Sequence, residues 1–252
     1  MRVIYLLYQL LIALPLLLLA SVLTALSTAV GCMFGNGHFW GYYPAALWGW
    51  LFIRVLLLPV KVEGREHLEA GQSYVFVANH QGAFDIFLIY GFLRRSFRWM
   101  MKRQLVSIPL VGWACKKSHQ VLVDKRSTSA VKATYKAARS ILSGGTSLTV
   151  FPEGARTFTG HMGQFKKGAF ALADELQLPV VPLTINGSFD VLPRMRKVPF
   201  VTWHRLSLTI HQPIYPVGVG SDNVQATMRQ AYQSVMSGLE ERYQGFVENP
   251  DQ

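Results

Sequence analysis

Charge is almost absent from the first sixty residues of this 252-residue chain, where Arg2 and Arg54 are the only formal charges. Cysteine is scarce too: Cys32 and Cys115 lie far apart and form no Cys-x-x-Cys pair, which argues against a disulfide framework or a cysteine metal site. Acidic residues are few, 14 Asp and Glu against 25 Lys and Arg, giving a formal net charge of +11. No Gly-x-Ser-x-Gly elbow occurs, so the usual serine nucleophile of an α/β hydrolase is missing. There is no internal repeat, no low-complexity linker and no RNA- or DNA-binding motif, so the basic balance does not point to nucleic acid.

What the first sixty residues do contain is apolar. Val3 to Val30 carries no charge and is long enough, at about 1.5 Å per residue, to cross a hydrocarbon core of about 30 Å. It exceeds the 7–15-residue core of a cleaved signal peptide. Pro15 is expected to kink the helix. Gly31 to His38 reads as a turn, and Phe39 to Val60 as a second apolar run. That run opens with Phe39, Trp40, Tyr42 and Tyr43, the aromatic enrichment of a membrane interface. Arg2 precedes the first run, Lys61 and Arg65 follow the second, and the loop between has no Lys or Arg. By the positive-inside rule both ends face the cytoplasm. The expectation is a membrane-embedded helical hairpin over residues 1–60, either spanning or dipping into one leaflet, followed by a catalytic domain over 61–252.

From Lys61 onward short β-rich runs alternate with helical patterns. The runs are Leu58–Val62, Tyr74–Ala78, Arg98–Met101, Gln120–Val123, Ser147–Phe151, Val180–Ile185 and Leu206–His211. Helices are predicted near Phe84–Phe92, Ser127–Ser143, Lys166–Gln177 and Ser221–Tyr243. Such alternation predicts an α/β domain, a mixed sheet flanked by helices. Basic residues cluster at Arg94, Arg95, Arg98, Lys102 and Arg103, then at Lys116, Lys117, Lys125 and Arg126. Next to an apolar anchor, such groups suit anionic headgroups, each contributing roughly 1 kcal/mol at a membrane surface.

In α/β sheets sites form beyond the carboxyl ends of strands. Three loops there carry chemistry. Asn79-His80-Gln81-Gly82-Ala83-Phe84-Asp85 follows the second run. Its spacing lets the Asp85 carboxylate reach one nitrogen of His80 and leaves the other to accept a proton, the arrangement of a general base. No side chain offers itself as nucleophile, so a substrate hydroxyl fills that part. Asp124-Lys125-Arg126 follows the fourth run. Phe151-Pro152-Glu153-Gly154-Ala155-Arg156 follows the fifth, where a tight turn and a guanidinium suit a phosphate.

Taken together, NHQGAFD and FPEGAR, about seventy residues apart, resemble the glycerolipid acyltransferase family, which includes lysophosphatidic acid acyltransferases. Val121 to Arg126 resembles its second block and Val180-Val181-Pro182-Leu183 its fourth; Met101-Lys102 and Ile108-Pro109 with Gly112 resemble the stretch between the first two. The likeness spans about Leu58 to Ile210. In the second block Arg usually follows Asp directly, whereas here Lys125 intervenes, leaving Lys125 and Arg126 as alternative phosphate ligands.

The resemblance implies that His80, held by Asp85, activates the free hydroxyl of 1-acyl-glycerol 3-phosphate to attack acyl-CoA or acyl carrier protein. Arg126 or Lys125, with Glu153, Gly154 and Arg156, then positions the acceptor phosphate; Asn79 and Lys102 are further candidates. Neither metal nor cofactor is implied, and the partners are the bilayer, the lysophospholipid and the thioester donor. Other readings are an acyltransferase for glycerol 3-phosphate, another lysophospholipid or a lipid A-type acceptor, a thioesterase, or a non-catalytic lipid-binding module.

Overall fold

The computed structural model describes residues 2–123, 128–142, 145–194 and 200–247. The chain opens with α1 (Arg2–Tyr8), a π-helical turn (Gln9–Ala13) and α2 (Leu14–Phe34), followed by the short α3 (Gly37–Trp40) and by α4 (Tyr43–Val55). Then come β1 (Val60–Glu63), β2 (Val75–Ala78), α5 (Phe84–Phe92), β3 (Phe97–Lys102), α6 (Val111–Lys117), β4 (Val121–Val123) and α7 (Thr128–Ile141). β5 (Ser147–Val150), α8 (Gly168–Leu176), β6 (Val180–Asn186), α9 (Ser188–Val191), β7 (Leu206–Ile210) and α10 (Ser221–Gly238) complete it.

The seven strands form one mixed sheet in the order β1-β7-β6-β2-β5-β3-β4. β6, β2, β5, β3 and β4 run parallel; β7 is antiparallel to β6 and parallel to β1. Val75 of β2 pairs with Leu148 of β5 on one side and with Val180 of β6 on the other. Helices cover both faces, which is why β2, β5 and β6 are buried along their whole length and read as continuous rather than alternating apolar runs. One core packs Phe76, Leu183 and Leu208 under Ile53 of α4 and Leu88 of α5. The other packs Val77 and Leu148 under Phe170 of α8 and Ala231 of α10. Each fully buried large apolar side chain contributes about 1.5–3 kcal/mol. α5 lies between sheet and α4, which accounts for its nearly uniform apolarity.

The N-terminal segment departs from the expected hairpin in three ways. First, the disturbance at Pro15 takes the form of the π-helical turn just before it, because proline has no N–H for the preceding turn. Second, the helix runs through Gly31 to Phe34. Gly31 serves packing, since a Cβ there would sit 2.2 Å from the Trp40 ring. The break comes later, at Gly35 and Asn36, where the Asn36 side chain accepts from the N–H groups of His38 and Phe39 and caps α3. Third, the second run is divided. α4 has 13 residues, about 20 Å of helix, and it packs on α5. Phe52 stacks on Phe87 at 4.0 Å, and Ile53, Leu56 and Leu58 are buried in the core shared with the sheet. Among the described residues one helix is long and apolar enough to cross a membrane, Val3–Phe34.

That helix is docked to the domain by polar contacts. Tyr5 and Tyr8 donate their hydroxyls to the carbonyls of Leu56 and Val55. Gln9, buried, takes both backbone groups of Val201: its Nε2 donates to the carbonyl at 3.0 Å and its Oε1 accepts from the N–H at 2.9 Å.

The α4–α5 crossing is set by Gly49 and Gly91. A Cβ on Gly91 would meet the Trp50 backbone nitrogen at 2.5 Å, and one on Gly49 would meet the Phe87 carbonyl at 2.7 Å. Gly91→Ala is therefore expected to destabilise the protein by about 1–3 kcal/mol, overriding the helix-propensity gain of up to about 1 kcal/mol that Ala brings. Gly168→Ala, where a Cβ meets nothing within 4 Å, is the control. Thermal denaturation in detergent compares them, and equal melting temperatures would refute a backbone-limited crossing.

Candidate active site

Because β6, β2, β5, β3 and β4 are parallel, the loops after them leave one edge of the sheet. The first holds His80. Its Nδ1–H donates to Asp85 Oδ2 at 2.7 Å, and the Gly82 N–H donates to the same oxygen at 3.0 Å. Asp85 is fully buried in the first turn of α5, where the helix N-terminus favours a carboxylate. With Nδ1 committed as donor, Nε2 is left as the acceptor. Gly82 is required by close approach, since a Cβ would lie 2.4 Å from the Ser188 carbonyl.

The His80 ring lies flat on Phe151, centroids 3.8 Å apart and planes 6° apart, and Phe151 in turn stacks on Trp99. The motif phenylalanine is thus a platform for the imidazole. The sequence marks Phe151 only as the end of a strand.

His80 is also held by its backbone, and the second loop does the holding. The His80 N–H donates to Glu153 Oε1 at 2.6 Å, and its carbonyl accepts from the Thr157 N–H at 2.9 Å. Glu153 Oε2 accepts from the Gly163 N–H at 2.7 Å. Glu153 is only 3% exposed, with both oxygens taken by backbone donors. It was expected on the acceptor phosphate; the structure instead makes it the tie between the two loops. Burial pushes its carboxyl up to about 8, against the pull of the two N–H donors and of Lys166. Gly154 turns the loop with φ +82°, a conformation that favours glycine. The Lys166 amine lies above it, 3.0 Å from where a Cβ would be. Lys166 is a cation at this rim that the motif reading did not single out.

Asn79 is likewise structural. Fully buried, it donates to the Ile185 carbonyl at 2.9 Å and accepts from the Ile185 N–H at 2.8 Å, extending β2's pairing to β6 by one side chain. Arg156 is half-exposed, and among the described residues its guanidinium has no ion-pair partner. Lys102 is the last residue of β3. β4 ends at Val123 on the same sheet edge, and Lys125 and Arg126 lie outside the described residues.

Glu153→Gln places an amide NH2 against one of two N–H donors, an expected cost of about 1–3 kcal/mol. The pH dependence has a defined sign. A carboxyl raised in the folded state binds its proton more tightly there, so its contribution to stability is full below about 4.5 and is lost as pH rises through about 8. Denaturation of wild type and Glu153→Gln across that window should show the slope in the former and its reduction in the latter; parallel curves would contradict the assignment.

Comparison with known proteins agrees with this geometry. A family model described as Acyltransferase matches residues 59–186, from the start of β1 to the end of β6. The chain is 30% identical over 175 residues to the chloroplastic 1-acyl-sn-glycerol-3-phosphate acyltransferase LPAT1 of Arabidopsis thaliana, covering 69% of this chain and 48% of that protein. It thus spans about half the length of that plant relative. It is 29% identical over 198 residues to the 1-acyl-sn-glycerol-3-phosphate acyltransferase alpha of Homo sapiens, covering 75% of this chain and 69% of the human one. The crystal structure of the 1-acyl-sn-glycerophosphate (LPA) acyltransferase PlsC from Thermotoga maritima superposes with a TM-score of 0.67 at 28% identity, over 81% of this chain and 80% of that one. The His80–Asp85 loop, the FPEGAR loop tied to it by Glu153 and the strands that carry both all fall within the matched span, and the chain belongs to the acyltransferase family.

Proposed function

We propose that the protein transfers an acyl group from a thioester donor, acyl-CoA or acyl carrier protein, to the free hydroxyl of 1-acyl-glycerol 3-phosphate, giving phosphatidic acid. The observation that carries this reading is the His80–Asp85 pair, with Nδ1 committed to a buried carboxylate and Nε2 free to act as a base. The names of the relatives, which specify a 1-acyl-glycerol phosphate acceptor, support the choice of substrate.

The chemistry follows from the held imidazole. Nε2 of His80 takes the hydroxyl proton as the oxygen attacks the thioester carbonyl carbon. Asp85 stabilises the imidazolium. The tetrahedral intermediate collapses with cleavage of the C–S bond, and the departing thiolate takes the proton back from His80. Ester and free thiol are the products, and the base is regenerated without a metal or resident cofactor. A cysteine acyl-enzyme is disfavoured: burial raises the Cys115 thiol to about 11, far from a reactive thiolate. Arg156, with Lys125 or Arg126, is assigned to the acceptor phosphate.

The same reading places the protein on a membrane. The Val3–Phe34 helix exposes Leu16, Leu18, Leu19, Leu23 and Leu26. α6 packs against α2, and the segment leading into it exposes Leu105, Ile108 and Leu110. Helix and segment form one apolar surface for lipid, with the catalytic domain on the cytoplasmic side by the distribution of Lys and Arg.

His80→Ala is expected to lose at least about 10²-fold in activity with folding retained, as removal of a general base does. The assay uses purified protein in detergent and offers lysophosphatidic acid, glycerol 3-phosphate and lysophosphatidylcholine in parallel, with acyl-CoA and acyl carrier protein donors. Near-normal turnover in His80→Ala would remove the base. Thioester hydrolysis independent of any acceptor would make the protein a thioesterase.

A further inference from the structure

Beyond β6 and α9 the chain comes back to the site. Pro193 forms an isolated antiparallel bridge with Gly82, two residues past His80. The next residue, Arg194, donates from Nη1 to the Arg156 carbonyl at 3.2 Å. The same Arg156–Thr157 peptide donates its N–H to the His80 carbonyl at 2.9 Å. A single peptide unit therefore links Arg194 on one side and the candidate base on the other.

Arg194 is poised rather than spent. Its guanidinium carbon lies over the Phe158 ring, 4.0 Å from the centroid, a cation–π contact that steadies the side chain without using its N–H donors. The side chain is exposed, and the contact to Arg156 uses one of the five N–H donors a guanidinium carries. Among the described residues no carboxylate is paired with Arg194. Further along the segment, Val201 is clamped by Gln9 of the apolar helix, and the Thr202 N–H donates to the Val191 carbonyl. Arg194 thus has supports on both flanks.

A phosphomonoester carries close to two negative charges at neutral pH and presents three acceptor oxygens. Its third oxygen and full charge leave room for a donor beyond the cations already assigned to it. We propose that Arg194 is a further phosphate-binding residue, acting beside Arg156 on the terminal phosphate of the acceptor and selecting a phosphomonoester over a lysolipid whose phosphate is already esterified. This rests on the acceptor reading above.

Steady-state kinetics of the full chain in detergent test it, with lysophosphatidic acid and lysophosphatidylcholine as acceptors. Arg194→Ala should raise the KM for lysophosphatidic acid about tenfold or more, the effect of losing one charge-assisted hydrogen bond. Its kcat and its KM for the acyl donor should be nearly unchanged, and its preference over lysophosphatidylcholine should shrink. Arg194→Lys should recover part of the loss, keeping the charge without the fork. A fall in kcat with KM unmoved would show a purely structural role through the shared peptide and overturn the proposal. An unmoved KM in Arg194→Ala alongside a raised one in Arg156→Ala would overturn it and leave the acceptor reading standing. Failure of the wild type to acylate lysophosphatidic acid would overturn both.

Discussion

A buried carboxyl group tied to backbone holds this site together. Glu153 hangs from the loop after β5 and accepts the N–H of His80, which belongs to the loop after β2, and the N–H of Gly163, which belongs to the approach to α8. The loop after β2 and the stretch from β5 to α8, 73 residues apart at the His80–Glu153 contact, meet on two oxygens. Burial of that carboxyl costs free energy unless both oxygens are satisfied, and its two backbone donors satisfy them. The backbone of His80 is fixed by this contact and by the Thr157 bond, its ring by Phe151 and its protonation pattern by Asp85. The imidazole is constrained at every level at which it could drift, which is how a general base is kept within reach of a hydroxyl.

The fold was legible where periodicity and length were unambiguous. Phe84–Phe92 is helical over the predicted span, and the strands begin and end within two residues of the predicted runs, because β2, β5 and β6 are buried on both faces and leave unbroken apolar stretches. The four-residue α9 was not read, being too short to show a period. The second apolar run was read as membrane-bound, since composition alone does not separate a helix facing lipid from one packed on a buried helix. α4 shows its destination only through Gly49 and Gly91, whose pairing depends on three-dimensional contact.

The site was legible in its members and less so in their parts. The spacing of His80 and Asp85 across a helix start leads directly to the observed contact. Glu153 was placed with the acceptor phosphate, and Asn79 named as a further candidate, because the family resemblance implied it. Burial and backbone partners, which decide the matter, are properties of the folded chain. Arg194 gave no local signal at all, as its contact with the FPEGAR loop closes across 38 residues.

The clamp between Gln9 and Val201 gives the long helix a second meaning. A helix fastened only by apolar contacts can slide along its axis or roll; one that engages both backbone groups of a single residue cannot move without breaking two buried hydrogen bonds. The helix is then a ruler as well as an anchor. The depth its leucines take up in a lipid layer then fixes the height of the catalytic edge above that layer, because helix and site move as one body.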